Sequence, residues 1–109
     1  MRVLVVNRVD ECVDPRVKTL LLGYQPATVH DEAWGALEDG PLLTAAQEKF
    51  DVLITADRNL EFQQNLAKFR IGLVVVRVPK NQLSYYRAVK TELILAIEQV
   101  RPGGVIHVE

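Results

Sequence analysis

Short, almost wholly apolar runs separated by helix-length stretches constrain this chain more than any other feature. Ile71–Val78 (IGLVVVRV) and Asp51–Thr55 (DVLIT) show almost no polar alternation. Runs of that kind belong to strands covered on both faces, as in a parallel sheet flanked by helices. Arg2–Val9 (RVLVVNRV) begins the same way, although Asn7 and Arg8 interrupt its end. Ala27–His30 and Val105–Val108 are shorter strand candidates, the last of them at a sheet edge.

Helical patterns fill the gaps. Asp14-Pro15 opens the first, because an aspartate caps free N–H groups and proline is tolerated at the first helical position. Val17, Leu20 and Leu21 supply its buried stripe, and Gly23 offers a stop. Asp39-Gly40-Pro41 opens the second, with Leu42, Leu43, Ala46 and Phe50 on one side. A short third helix runs from Asn59 to about Lys68. The fourth spans Asn81 to Arg101, with Leu83, Tyr86, Val89, Leu93, Ile97 and Val100 at steps of three and four. Pro102-Gly103-Gly104 ends it.

The order is β-α-β-α-β-α-β-α-β, which predicts one α/β domain over residues 1–109 with a mostly parallel sheet of about five strands. Right-handed crossovers place every helix on a face of that sheet. They also bring every strand-to-helix loop to the carboxyl edge, where open α/β sheets bind ligands. A strand order of 2-1-3-4-5 sets the first and third strands side by side at the switch point.

Acidic residues gather at that predicted edge. Asp10 and Glu11 follow the first strand, Asp31 and Glu32 the second, and Asp57 the third, while Glu38 and Asp39 begin the second helix. Carboxylates brought together repel one another, and a hard divalent cation such as Mg²⁺ or Mn²⁺ relieves the repulsion. A metal held in this way activates water and stabilises charge on a phosphate, so the pattern points to phosphodiester hydrolysis. Most of the acids also have a plainer role, whereas Asp10, directly after a strand, is hardest to read that way. Asp14, Asp39 and Asp57 are placed to cap helices, and Glu11 and Glu32 to be solvated.

Composition narrows the alternatives. Lysine and arginine number 13 against 14 aspartates and glutamates, a net charge of −1, so the chain has no general attraction to nucleic acid. A local patch must supply any such binding; Lys68, Arg70, Arg77, Lys80 and Arg87 are the candidates, with Tyr85 available for stacking. Tyr86 and Trp34 read as packing residues. The single cysteine, Cys12, forms no internal disulfide and points to a reducing, cytoplasmic setting. A cysteine nucleophile needs a base, and His30 and His107 are the two histidines of the chain. The opening MRVLVVNRVDE is charged too soon for a signal peptide, and no apolar run reaches the roughly 18 residues of a membrane span. Neither a Gly-x-x-x-x-Gly-Lys nor a Gly-x-Gly-x-x-Gly loop occurs, so nucleotide-cofactor binding has no support.

Three short segments, taken together and in order, resemble the PIN-like nuclease family. They are Asp10-Glu11-Cys12-Val13-Asp14-Pro15-Arg16 after the first strand, Asp39-Gly40-Pro41-Leu42-Leu43-Thr44-Ala45-Ala46, and Val52-Leu53-Ile54-Thr55-Ala56-Asp57-Arg58-Asn59-Leu60. Ala33-Trp34-Gly35-Ala36-Leu37 is similar to the family's aromatic-glycine turn. The resemblance implies a three-layer α/β/α fold and Mg²⁺- or Mn²⁺-dependent RNA cleavage. Asp10, Asp39 and Asp57 would be the metal-binding catalytic acids, with Glu11, Asp31, Glu32 and Asn59 as further metal ligands and Arg58, Lys80 and Arg87 on the RNA. It also implies a toxin of a toxin–antitoxin pair, with a small antitoxin protein or a second copy as partner.

Two other classes compete. Asn59 stands where many members of the family carry a second aspartate, and the first strand has a polar tail. Both features suit a binding module that has lost catalysis and acts through a protein partner. A receiver-type phosphoacceptor would also use Asp10, Glu11 and Asp57, but it needs a lysine after the fifth strand, and Lys80 follows the fourth.

Overall fold

A computed structural model describes residues 1–7 and 13–109. Five strands, β1 (Val3–Val5), β2 (Pro26–Thr28), β3 (Val52–Thr55), β4 (Gly72–Val76) and β5 (Val105–Val108), form one sheet in the order 2-1-3-4-5. All four pairings are parallel. Successive residues of β1, β3 and β4 are buried without exception, which explains their unalternating apolar sequence.

The period of two sorts these residues onto two faces. Val3, Val5, Val52, Ile54, Val74 and Val76 pack on one side, beneath the 3-10 helix Pro15–Leu20 and helices α3 (Leu83–Ala88) and α4 (Lys90–Gln99). Leu4, Leu53, Leu73 and Val75 pack on the other, against α1 (Asp39–Gln47) and α2 (Leu60–Gln63). The result is a three-layer α/β/α arrangement with β5 and β2 at the edges.

The expected helices are all present, but several are shorter or broken. The first is two 3-10 pieces, Pro15–Leu20 and Leu22–Tyr24, so Gly23 lies inside the second piece; the turn into β2 falls at Gln25, φ 47°. The predicted helix after Asn59 is α2 followed by a 3-10 turn at Leu66–Lys68. The long last helix breaks at Val89, whose φ of −108° and ψ of 18° are not helical. The apolar positions there explain the break. Leu83, Tyr86 and Val89 recur at strict steps of three, which an ideal helix of 3.6 residues per turn carries off its face. One tight turn, with Val89 N–H donating to Tyr86 O at 3.1 Å, restores the face. Leu93 and Ile97 then continue the same core. Among the described residues, no helix is long and apolar enough to cross a membrane.

Candidate functional site at the carboxyl edge

β1 and β3 are neighbours in register Val5↔Ile54, and Val6 N–H extends the pairing to Ile54 O at 2.9 Å. Val13 also lies at this edge, with its N–H donating to Val6 O at 2.9 Å. Asp10, Glu11 and Cys12 lie outside the described residues.

Asp57 leaves the same edge two residues after β3. Its N–H donates to the buried Thr55 Oγ1 at 3.0 Å, and its Oδ1 accepts from Asn59 N–H at 2.8 Å. The Thr-x-Asp segment is thus a self-braced turn that leads directly into α2. Half-buried Asp57 serves as the turn's cap with one carboxylate oxygen. Asn59 and Arg58 beside it are exposed.

Asp39 is the first residue of α1, where the helix N-terminus favours negative charge. It is half-buried and lines an open depression of about 360 Å³ with Glu38, Gly40 and Gln64. Gln64 immediately follows α2, so this depression lies between the two helices of one face.

The acids after β2 are occupied in other ways. Asp31 Oδ2 accepts from Thr28 N–H at 2.8 Å, while Asp31 N–H donates to Thr28 Oγ1 at 2.9 Å. This reciprocal pair is a capping box around one turn. Lys18 Nζ joins the same oxygen at 2.6 Å. The ammonium first, and the Thr28 N–H second, hold the Asp31 carboxyl down to about 2 from an ordinary 3.8. Glu32 pairs at 2.6 Å with Lys49, which lies beyond the carboxyl end of α1. Lys49 also sits over the Trp34 ring at 5.8 Å, and Trp34 meets Phe50 edge-on at 6.1 Å, so Trp34 packs as expected.

A second polar cluster was not foreseen. Buried Asp14 caps the first 3-10 helix and binds Arg16 through both oxygens, with contacts of 3.1 and 2.6 Å. The Arg16 hydrogen bonds hold its carboxyl below the usual range, against an opposing effect of burial. Asp14 N–H donates to Asn81 Oδ1 at 2.8 Å, and Tyr86 OH donates to the same oxygen at 2.6 Å. Asn81 therefore ties the loop after β4 to the start of the first 3-10 helix. The sequence marked Asn81 only as a helix start; nothing local in it signals a partner 67 positions away.

Arg58, Arg77 and Asn81 line a crevice of about 210 Å³ between the carboxyl ends of β3 and β4. Lys80 and Arg87 are exposed nearby in the chain. Further round, His107 Nε2 lies 2.6 Å from Glu61 Oε1, next to Phe62, which is 81% exposed.

The described donors at this edge are carboxylate and amide oxygens, the kind that Mg²⁺ or Mn²⁺ takes. Among the described residues, however, no three His, Cys, Asp or Glu side chains form a group that could hold a metal ion. The fold and edge define an open, parallel α/β protein with a mixed acidic and basic rim. In comparisons with known proteins, no family model, curated protein or solved structure matches the chain.

Proposed function

We propose that this protein is a metal-dependent ribonuclease acting at the carboxyl edge of its sheet. The observation that carries the reading is the adjacency of β1 and β3 at the switch point of the 2-1-3-4-5 sheet. Asp57 leaves β3 there, and α1 begins with Asp39. Asp10 follows β1 in sequence, and in this reading it completes the carboxylate set. Asp10, Asp39 and Asp57 would hold Mg²⁺ or Mn²⁺, with Asn59 contributing its carbonyl. The metal supplies water activation and charge stabilisation on the phosphate. The motif resemblance to PIN-like nucleases supports the same assignment, and with it a small antitoxin protein or a second copy as partner.

The test is cleavage of a labelled single-stranded RNA by the purified protein with Mn²⁺. Asp57→Asn is expected to abolish cleavage and to weaken Mn²⁺ binding in calorimetry, because the turn survives on an amide oxygen while the charge is lost. Cleavage by that variant at the wild-type rate refutes the proposal.

A second reading has its own support. Asp14, Asp31 and Glu32 are each neutralised by a cation, and one oxygen of Asp57 caps a turn, so these acids already serve the fold. A binding module without catalysis fits that use. Calorimetry showing no divalent-metal binding, together with a tight protein complex, would select it over the first.

A further inference from the structure

We infer that the crevice between β3 and β4 is a seat for a phosphoryl group, with the Arg58 and Arg77 guanidinia and the Asn81 amide as its donors. Two connections build it: Arg58 follows β3, and Arg77 and Asn81 both lie between β4 and α3. Val76, Val78 and the Tyr86 ring supply the apolar wall, and Tyr86 is only 1% exposed, so that wall is fixed.

Charge accounting makes the crevice unusual for this molecule. Net charge is −1, yet among the described residues the lining holds two arginines and no acid. Elsewhere Arg16, Lys18, Lys49 and Arg70 each lie against a carboxylate at 2.6–2.7 Å. Among the described residues, no acid pairs with Arg58 or Arg77. Two like charges on one small crevice repel, and an anion between them removes the penalty.

Asn81 sharpens the chemistry. Its Oδ1 already accepts two hydrogen bonds, from Asp14 N–H and Tyr86 OH, which uses both lone pairs. What it can offer the crevice is therefore its Nδ2, a donor. Among the described residues, Arg58, Arg77 and Asn81 then each offer a donor to the crevice. That pattern suits the several oxygens of a phosphate, which arginine forks bind bidentately. A volume of about 210 Å³ is below the ~300 Å³ of small-molecule pockets, so one phosphoryl group and part of its sugar fill it.

The seat needs neither metal nor cleavage. Its use for a backbone phosphate of the substrate strand rests on the ribonuclease reading; the alternative source is a free mononucleotide or phosphate ion. Binding is therefore measured in EDTA, with a labelled single-stranded RNA, uridine monophosphate and inorganic phosphate as separate probes. Arg77→Gln and Arg58→Gln are each expected to weaken binding about tenfold. Each should also lower the salt slope of RNA binding by about one. Arg101→Gln, which removes the same charge from the exposed connection between α4 and β5, at the amino edge of the sheet, should bind as wild type. RNA binding without phosphate or mononucleotide binding identifies a strand phosphate as the occupant, and arginine-dependent binding of the small probes identifies a free one; both support the seat. Equal binding by Arg77→Gln, Arg58→Gln and Arg101→Gln, or no binding of any probe, overturns it. Asp57→Asn that binds RNA in EDTA but does not cleave with Mn²⁺ separates the two proposals.

Discussion

Replacing Asp31 with asparagine separates a carboxylate that holds the fold from one that waits for a metal. The carboxyl sits at about 2 in the folded protein against an ordinary 3.8. Taken at face value, that difference corresponds to roughly 2 kcal/mol. Lys18 and Asp31 are 35% and 42% exposed, however, so solvent screens the pair, and about 1 kcal/mol is the realistic contribution. The sign follows from the lowered value. The stabilisation is fully present above about pH 4, where the unfolded carboxylate is already ionised, and is lost as pH falls towards 2. Asp31→Asn keeps an oxygen for Thr28 N–H but loses the charge. Urea denaturation should show the variant about 1 kcal/mol less stable at pH 7, with the gap to wild type closing between pH 4 and pH 2. Lys18→Met should cost a similar amount, and the double variant little more than either alone, because both remove one interaction. A variant as stable as wild type at pH 7, with an unchanged acid limb, refutes the ion-pair account. Mn²⁺ that stabilises the wild type but not Asp31→Asn would instead make Asp31 a metal ligand.

Two further perturbations probe the scaffold beneath the site. A Cβ on Gly72 would lie 2.7 Å from Val100 Cγ1 and 3.2 Å from Arg101 O, and β-branched Val100 has little freedom to yield. Gly72→Ala should therefore cost about 1–3 kcal/mol in denaturant titration, and wild-type stability would refute that close approach. Leu43 is wholly buried between α1 and the sheet, so Leu43→Ala should cost about 2–5 kcal/mol. Leu95→Ala, at a position 48% exposed, should stay within about 0.5 kcal/mol; equal costs for the two would contradict the layer assignment.

Much of the architecture was legible in the chain. Val74–Val76 and Leu53–Ile54 could be read as doubly covered strands because nothing polar interrupts them. Asp14-Pro15 and Asp39-Gly40-Pro41 marked helix starts through chemistry confined to two or three residues. The break at Val89 was harder, although its cause, a stripe at steps of three, was present in the sequence. Thr28-Val29-His30-Asp31 carried a capping-box spacing that accounts for the reciprocal hydrogen bonds of Thr28 and Asp31. Lys18 and Lys49, the partners of Asp31 and Glu32, lie 13 and 17 residues away, and no spacing rule links them.

The sequence by itself determined the alternation of strand and helix, hence a parallel sheet and the edge at which its loops collect. These follow from periodicity and capping, which act over a few residues. Only the tertiary structure decided which charges are spent. It gave Asp31 and Glu32 to lysines, bound Asp14 to Arg16 and Asn81, and left Arg58 and Arg77 facing one crevice. The lysines lie 13 and 17 residues from their acids and Asn81 lies 67 from Asp14, so chain crossovers, not local spacing, set those distances.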